Sequence, residues 1–344
     1  MTEIADYARR RAELARILPG VPALLVTSPV NVRYLTGLDS SNAAVLVWAD
    51  GAATLATDSR YIELTRGLDL EVVEDRDVVG RLAAQGVGIE AAHMTVATFS
   101  RLNGVVPTDP LVEKLRQVKD EHELALLRTA CEITDQAFAD VLPAVRPGLT
   151  ERELARLLET RMAELGADKP AFDTIVASGE NGAVPHHSPT DRPIRAGDLV
   201  TVDFGARYRG YHADMTRTFA LGHTAAWQDD LYALVHAAQS AGLAAVAPGA
   251  VAGDLDAAAR SLIEAAGFGE HFRHGLGHGV GLEIHEDPFL GPSRTGKLED
   301  RVPVTVEPGV YLPGRGGIRI EDTLVTRDAG PELFTKTTKE LLVL

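Results

Sequence analysis

Five side chains form the most chemically suggestive pattern in this sequence: Asp203, Asp214, His278, Glu307 and Glu321. They stand in the phrases VDFG, HADMTRT, GLGHGVGLEIHE, VEPGVY and RIEDT. Two like charges about 4 Å apart repel by roughly 4 kcal/mol at an effective dielectric of 20. Four converging carboxylates therefore require protonation or counter-charge, and two divalent cations balance them. Oxygen ligands joined by one imidazole suit Mn2+, Co2+, Fe2+ or Zn2+ rather than a thiolate-selected metal. A single Asp or Glu is more often a separate surface residue at a strand end. The concurrence of all five in these phrases is what points to a metal site.

Such a set must be brought together by the chain. Asp203 closes the apolar, β-branched run Leu199-Val200-Thr201-Val202, which reads as a buried strand. Asp214 lies in a second strand candidate, Tyr211–Phe219. A hairpin centred between Tyr208 and Arg209 sets the two aspartates directly opposite, with Cβ atoms roughly 4.5–5.5 Å apart. Thr201, Gly205, His212 and Thr216 then share their face, and Val200, Val202 and Phe204 take the other. A second hairpin, centred on Gly314 within Pro313-Gly314-Arg315-Gly316-Gly317, places Glu307 opposite Glu321. Arg319 and Thr323 share that face, and Pro308 makes the pairing beyond Glu307 irregular.

These phrases resemble the pita-bread metallopeptidases, specifically their Xaa-Pro dipeptidase (prolidase) and aminopeptidase P branch. The run from His274 through His278 and His285 to Glu286 matches the prolidase signature throughout. NVRYLTGLDSS and TDSRYIE resemble the family's N-terminal domain, and LRQVKDEHELALLRTACEITDQAF resembles the helix opening its catalytic domain. The likeness covers nearly the whole chain. The short gap between Glu307 and Glu321 fits prolidase-like bacterial members. Arg301-Val302-Pro303 departs from the family's usual Pro-Gly-Met, which implies a local loop change.

The resemblance implies hydrolysis of the bond before proline in short peptides, Xaa-Pro dipeptides first, by a hydroxide bridging two metal ions. Mn2+ is the first choice of metal, with Co2+ or Zn2+ as alternatives. The five residues above are the implied ligands, and Glu307 also shuttles the proton to the leaving nitrogen. His285 helps stabilise the tetrahedral intermediate, and His186 contacts substrate near the scissile bond, with His187 the competing choice. Arg319 hydrogen-bonds around the metal carboxylates. His274 and Tyr211 line the pocket, and Arg294 binds the substrate carboxylate. A homodimer is implied as well.

Other readings remain. Aminopeptidase P activity on longer Xaa-Pro-Yaa peptides is one. Methionine aminopeptidase is disfavoured by the full-length N-terminal domain. A metal-free creatinase-like enzyme or a non-catalytic peptide-binding relative belongs to a different class, and such relatives usually lose metal ligands that are all present here. The glycines around His278 superficially resemble a phosphate loop but lack its lysine.

Composition sets outer bounds. The chain has 344 residues, of which 45% are hydrophobic and 24% charged, enough for two domains with cores of their own. A net charge of −15 argues against nucleic-acid partners. The single cysteine, Cys131, forms no internal disulfide and sits in a helical core pattern with Leu124, Leu127 and Ile133. It favours a reducing compartment, the cytoplasm. The opening MTEIADYARRRAELARIL is too charged for a signal peptide, and no apolar run reaches the ~20 residues of a membrane span.

The expected fold class is α+β. Residues 1–112 read as a small α/β domain and 113–344 as a pita-bread catalytic domain, with helices on a curved antiparallel sheet. In the first part an opening helix precedes strand Ala23–Val26. Ala43–Trp48 and Ala53–Ala56 form a hairpin around Asp50-Gly51. A helix is expected at Tyr61–Arg66, and short strands at Val87–Glu90 and Val96–Ala97. Pro107–Pro110 marks the boundary. In the second part helices are expected over Glu121–Val145, from the capping box Thr150–Glu153 to about Leu165, and over Trp227–Val246 and Ala252–Ala266.

Overall fold

The computed structural model describes residues 5–344, so the first residues of the charged opening lie outside what is described. The fold divides into two compact units after Arg116.

In the first unit, helix Tyr7–Arg16 is capped by Asp6, whose side chain accepts from the Arg9 amide. A six-stranded sheet follows, in the spatial order Glu71–Glu74, Ala53–Thr57, Ala43–Trp48, Ala23–Val26, Gly88–Glu90, Val106–Thr108. The Asp50-Gly51 hairpin forms as the sequence indicates, with Gly51 at φ 89°. Leu25, Leu46, Ala56 and Ile89 fill the core beneath it. Tyr61–Arg66 yields a short 3-10 turn at Ile62–Thr65. The strand expected at Val96–Ala97 is instead a helix, Val96–Phe99, because Thr95 Oγ1 accepts from the Thr98 amide and caps it. Val106–Thr108 is an edge strand in parallel register with Gly88–Glu90.

The second unit pairs helices with antiparallel ladders twice. Helices Glu121–Val141 and Glu151–Glu164, each opened by a capping box, cover the ladder of Ile175–Ser178, Leu199–Phe204 and Met215–Ala220. Helices Ala226–Ala245 and Ala252–Ala265 cover the ladder built on Pro303–Val306 and Asp322–Val325. Val200, Val202 and Phe204 point into the first core with Met215 and Phe219. The alternate residues Thr201, Asp203, Thr216 and Thr218 form a polar face, where the Thr201 and Thr218 hydroxyls lie 3.0 Å apart. No helix among the described residues is long and apolar enough to cross a membrane.

The two hairpins differ in how well they follow expectation. Around Gly314 the register is as read: Gly309 pairs Arg319, and Val306 pairs Asp322 across a break at Pro308. Glu307 and Glu321 fall between those pairs. The first hairpin is slipped by two. Asp203 pairs with Thr216, not Asp214, because the turn is Arg209-Gly210, with φ of 46° and 87°. Two successive left-handed residues make a two-residue hairpin turn matched to strand twist. A slip of two keeps every side chain on its face, so Asp203 and Asp214 remain on one side as diagonal neighbours. At Arg301, where the family phrase is altered, the backbone is also left-handed, at φ 63°.

Candidate metal centre

The polar faces of the two ladders meet. Glu321 N donates to Thr216 O at 3.1 Å, and Thr216 Oγ1 donates to Glu321 Oε2 at 2.7 Å. Beneath this seam the buried Arg217 guanidinium donates to the carbonyls of Thr216 and Glu321 and to Asp322 Oδ1. One cation thus fixes the backbones that carry Asp214 and Glu321.

His278 sits in the short strand Gly277–Gly279. Its neighbours must be glycine: a Cβ at Gly277 would lie 2.0 Å from Thr305 O. His278 Nδ1 lies 3.0 Å from Gly279 O, a bond that needs hydrogen on Nδ1. The Nε2 lone pair is therefore free, and it faces Glu307 Oε1 at 3.4 Å and Asp214 Oδ2 at 3.6 Å. Ligand atoms of Asp214, His278 and Glu321 all lie within 4.8 Å of one another.

Without counter-charge this cluster cannot keep all its carboxylates ionised. Burial pushes the Asp214 carboxyl well above its ordinary value, and the charges of Glu321, Asp203 and Glu307 push further. Burial does the same to Glu321, with Glu307 and Asp203 adding to it. Glu307, its side chain 18% exposed to the cavity, is still driven by burial to about 8, against the pull of Arg319. Burial holds His278 at about 4, with His285 contributing, so it is neutral near pH 7. Its contacts with carboxylates are those of converging ligands, not of an ion pair. Asp203 Oδ1 is buried without a hydrogen-bond partner. Crowded acids, an orphaned carboxylate oxygen and an inward imidazole lone pair fit divalent metal.

The surrounding side chains hold this set in place. Arg319 donates from Nη2 to Asp203 Oδ2 at 2.6 Å, from Nε to Thr216 Oγ1 at 3.1 Å and from Nη1 to Tyr311 Oη at 2.8 Å. Burial opposes its charge, but Tyr311, Asp203, Glu307 and Glu321 keep it protonated. His274 Nδ1 is engaged with Gly275 O, so its Nε2 accepts from the Tyr311 hydroxyl at 2.9 Å. Burial raises Tyr311 to about 12 and lowers His274 to about 4. Behind His285, the buried pair Lys119–Glu286, at 2.5 Å, anchors the segment that carries it. Burial lowers the His285 pKa, and His186 adds to that effect.

A cavity of about 910 Å³ opens over the cluster. It is lined by Asp203, Asp214, His278, Glu307 and Glu321, and also by His186, His187, His274, His285, Arg294 and Arg319. Arg294 lies over the Phe289 ring, 5.7 Å from its centroid. Tyr211 does not line the cavity: its hydroxyl turns to Glu123 Oε1 at 2.8 Å, on the helix side. Tyr311 occupies the lining instead. Its signal was present in the register, since Gly309 pairs Arg319 and Tyr311 shares the face of Gly309. Apolar lining from Phe172, Ile284 and Phe289 was not read from sequence.

Residues 125–328 match the family model of metallopeptidase family M24, and residues 13–118 match the creatinase/prolidase N-terminal domain. The chain is 35% identical over 332 residues to a Xaa-Pro dipeptidase of Pyrococcus furiosus, covering 94% of this chain and 95% of that one. A solved Xaa-Pro dipeptidase from Bacillus anthracis superposes with a TM-score of 0.94 at 37% identity, over 98% of this chain and 100% of that one. An X-Pro aminopeptidase structure from Thermotoga maritima gives 0.88 at 34% identity, over 96% and 99%.

Proposed function

The chain belongs to metallopeptidase family M24, and from that premise we propose that it hydrolyses the peptide bond preceding proline in short peptides, with Xaa-Pro dipeptides preferred. A creatinase/prolidase N-terminal domain precedes its pita-bread metallopeptidase domain; we set these domains at 1–112 and 113–344. The observation that carries the reading is the convergence of Asp214, His278 and Glu321 ligand atoms, with Asp203 and Glu307 beside them, in the lining of one cavity.

Asp203, Asp214, His278, Glu307 and Glu321 hold two divalent ions in this reading, Mn2+ first and Co2+ or Zn2+ as alternatives. When bound, the pair lowers the pKa of water and offsets developing negative charge. Glu307 receives the proton of the attacking water on its carboxylate and passes it to the leaving nitrogen. His285 donates a hydrogen bond to the oxyanion as it develops. His186 contacts substrate beside the scissile bond, and Arg294 faces the substrate carboxylate across the cavity. Arg319 orients Asp203 and, through Tyr311, His274.

The similarity to an X-Pro aminopeptidase favours longer Xaa-Pro-Yaa substrates as the second reading. Rates on Ala-Pro, Ala-Pro-Ala and Met-Ala-Ala separate the two, measured after EDTA treatment and reconstitution with Mn2+, Co2+ or Zn2+. Ala-Pro fastest supports the dipeptidase. Ala-Pro-Ala fastest selects the aminopeptidase, and no metal-dependent cleavage of either sinks both. We further propose a cytoplasmic homodimer. The lone, buried Cys131 suits a reducing compartment, and light scattering showing a fully active monomer at micromolar concentration would refute the dimer.

A further inference from the structure

Glu151 is the first residue of helix Glu151–Glu164, but the capping work there is done by Thr150 and Glu153. Its own side chain is completely buried and turns away from the helix, onto the segment between Ser178 and Thr190. Oε1 accepts from Ser178 N at 2.8 Å, Ser178 Oγ at 2.7 Å and Asn181 Nδ2 at 2.9 Å. Oε2 accepts from Thr190 N at 3.1 Å, Thr190 Oγ1 at 2.7 Å and His187 Nε2 at 2.9 Å. Burial alone would push this carboxyl up, yet the donors hold it at about 2, so it stays charged at neutral pH.

Five of these six bonds tie the two ends of the segment. The sixth, from His187, is different in kind, because it comes from the residue next to His186. On the other side of His186, Pro185 O accepts from Arg319 Nη1 at 3.3 Å. His186 is therefore gripped between two charged groups: the Glu151 carboxylate, reached through His187, and the guanidinium that holds Asp203. Both grips are made by buried charges, which bind hydrogen-bonded neighbours more strongly and rigidly than neutral groups do. Holding the ends of the segment needs only the Ser178, Asn181 and Thr190 bonds. The bond to His187 adds an aim for what lies between.

We propose that Glu151 and His187 are a positioning pair that sets the His186 imidazole against the substrate. The inference rests on the reading of His186 as a substrate contact. His187 is not a second copy of that contact: its Nε2 is committed to Glu151.

The test is a double-mutant cycle on the full metal-loaded chain with Ala-Pro as substrate, comparing wild type, H186A, H187A, H186A/H187A and H187Q, each with metal content and melting temperature. H187A is expected to lose roughly ten-fold in kcat, inside the ~10²-fold that a 1 Å misplacement costs, with metal content unchanged and only a small fall in melting temperature, since Glu151 keeps its other five bonds. H187Q, whose amide still donates to Glu151, should recover most of the loss. In the H186A background, H187A should cost nothing further, since the pair acts only through His186. Independent, multiplying losses would overturn the proposal, as would an H187Q that regains the melting temperature but not kcat. Wild-type kcat in H187A with an impaired H186A overturns this proposal alone. Wild-type kcat in H186A removes the substrate-contact reading and this proposal with it.

Discussion

The imidazole of His285 stands edge-on to that of His278, with ring centroids 4.4 Å apart and planes at 81°. His278 turns its Nε2 lone pair to the carboxylates, while His285 borders the cluster outside the set of converging ligand atoms. His285→Ala should therefore bind metal at wild-type stoichiometry and lose ~10²–10³ in kcat, the scale of removing one oxyanion donor. Metal analysis alongside kinetics decides it, since lost metal would move His285 into the ligand set.

Asp214→Asn removes one charge from a crowded, buried cluster while keeping its shape. Turnover should be abolished and metal stoichiometry should fall. In EDTA the sign of the stability change should invert, because a neutral amide avoids the cost of burying this carboxyl, or of protonating it, among its acidic neighbours. The variant then melts at or above the wild type in EDTA and clearly below it with metal, by roughly 2–4 °C for each kcal/mol. The same order under both conditions would remove Asp214 from the centre.

Arg319→Lys keeps the charge but not the planar fork that reaches Asp203, Thr216, Tyr311 and Pro185 at once. An ammonium satisfies Asp203 at most and leaves the Tyr311 hydroxyl without its donor. Leaving a buried partner unsatisfied costs ~1–3 kcal/mol. Urea unfolding should show that loss, together with a fall in kcat. Wild-type values for both would reduce Arg319 to a simple counter-charge.

What the sequence disclosed, and what it hid, follows from how local each cause is. Metal-type chemistry was legible because Asp214, His278 and Glu321, whose ligand atoms converge, announce it by residue type alone. The Gly314 hairpin was legible because a Pro/Gly-rich loop fixes its own register. The Arg209-Gly210 turn was misread because arginine rarely takes a left-handed conformation, so nothing in its type announces φ 46°. Thr95 overrode the β propensity of Val96 through one hydrogen bond to backbone. Arg217, Lys119 and Glu151 were invisible as braces, because their partners lie far along the chain: Arg217 reaches Asp322, Lys119 reaches Glu286, and Glu151 reaches His187. The sequence places Tyr211 at the pocket, and nothing in it announces the turn of that hydroxyl toward Glu123.

Glu151 also makes a stability prediction with a definite sign. Its folded pKa, about 2, lies below the ordinary 4.5. Its contribution is therefore complete above pH 4.5 and is lost as pH falls toward 2. The gap corresponds to roughly 3 kcal/mol. Acid unfolding followed in EDTA, which removes metal release from the comparison, should be less steep in that window for Glu151→Gln than for wild type. Parallel profiles would mean that the six donors do not distinguish the charged carboxylate from a neutral amide.

The turn that slipped the first hairpin gives a test of its own. Arg209 and Gly210 both sit at positive φ, and the Gly210 amide donates to Asp168 Oδ2 at 3.0 Å. For an L-residue the left-handed conformation costs about 1–2 kcal/mol, which glycine avoids and asparagine partly avoids. Gly210→Ala should lower stability by that amount in urea unfolding. Arg209→Asn, which creates the favoured Asn-Gly pair, should raise it by a fraction of the same amount. Neither change alters which residues face which, because Asp203 still pairs with Thr216 and Asp214 stays on the polar face. Arg209→Asn should accordingly keep wild-type kcat and metal content. If it shifts metal affinity instead, the turn does more than set register: it also controls how closely the Asp214 strand approaches Asp203.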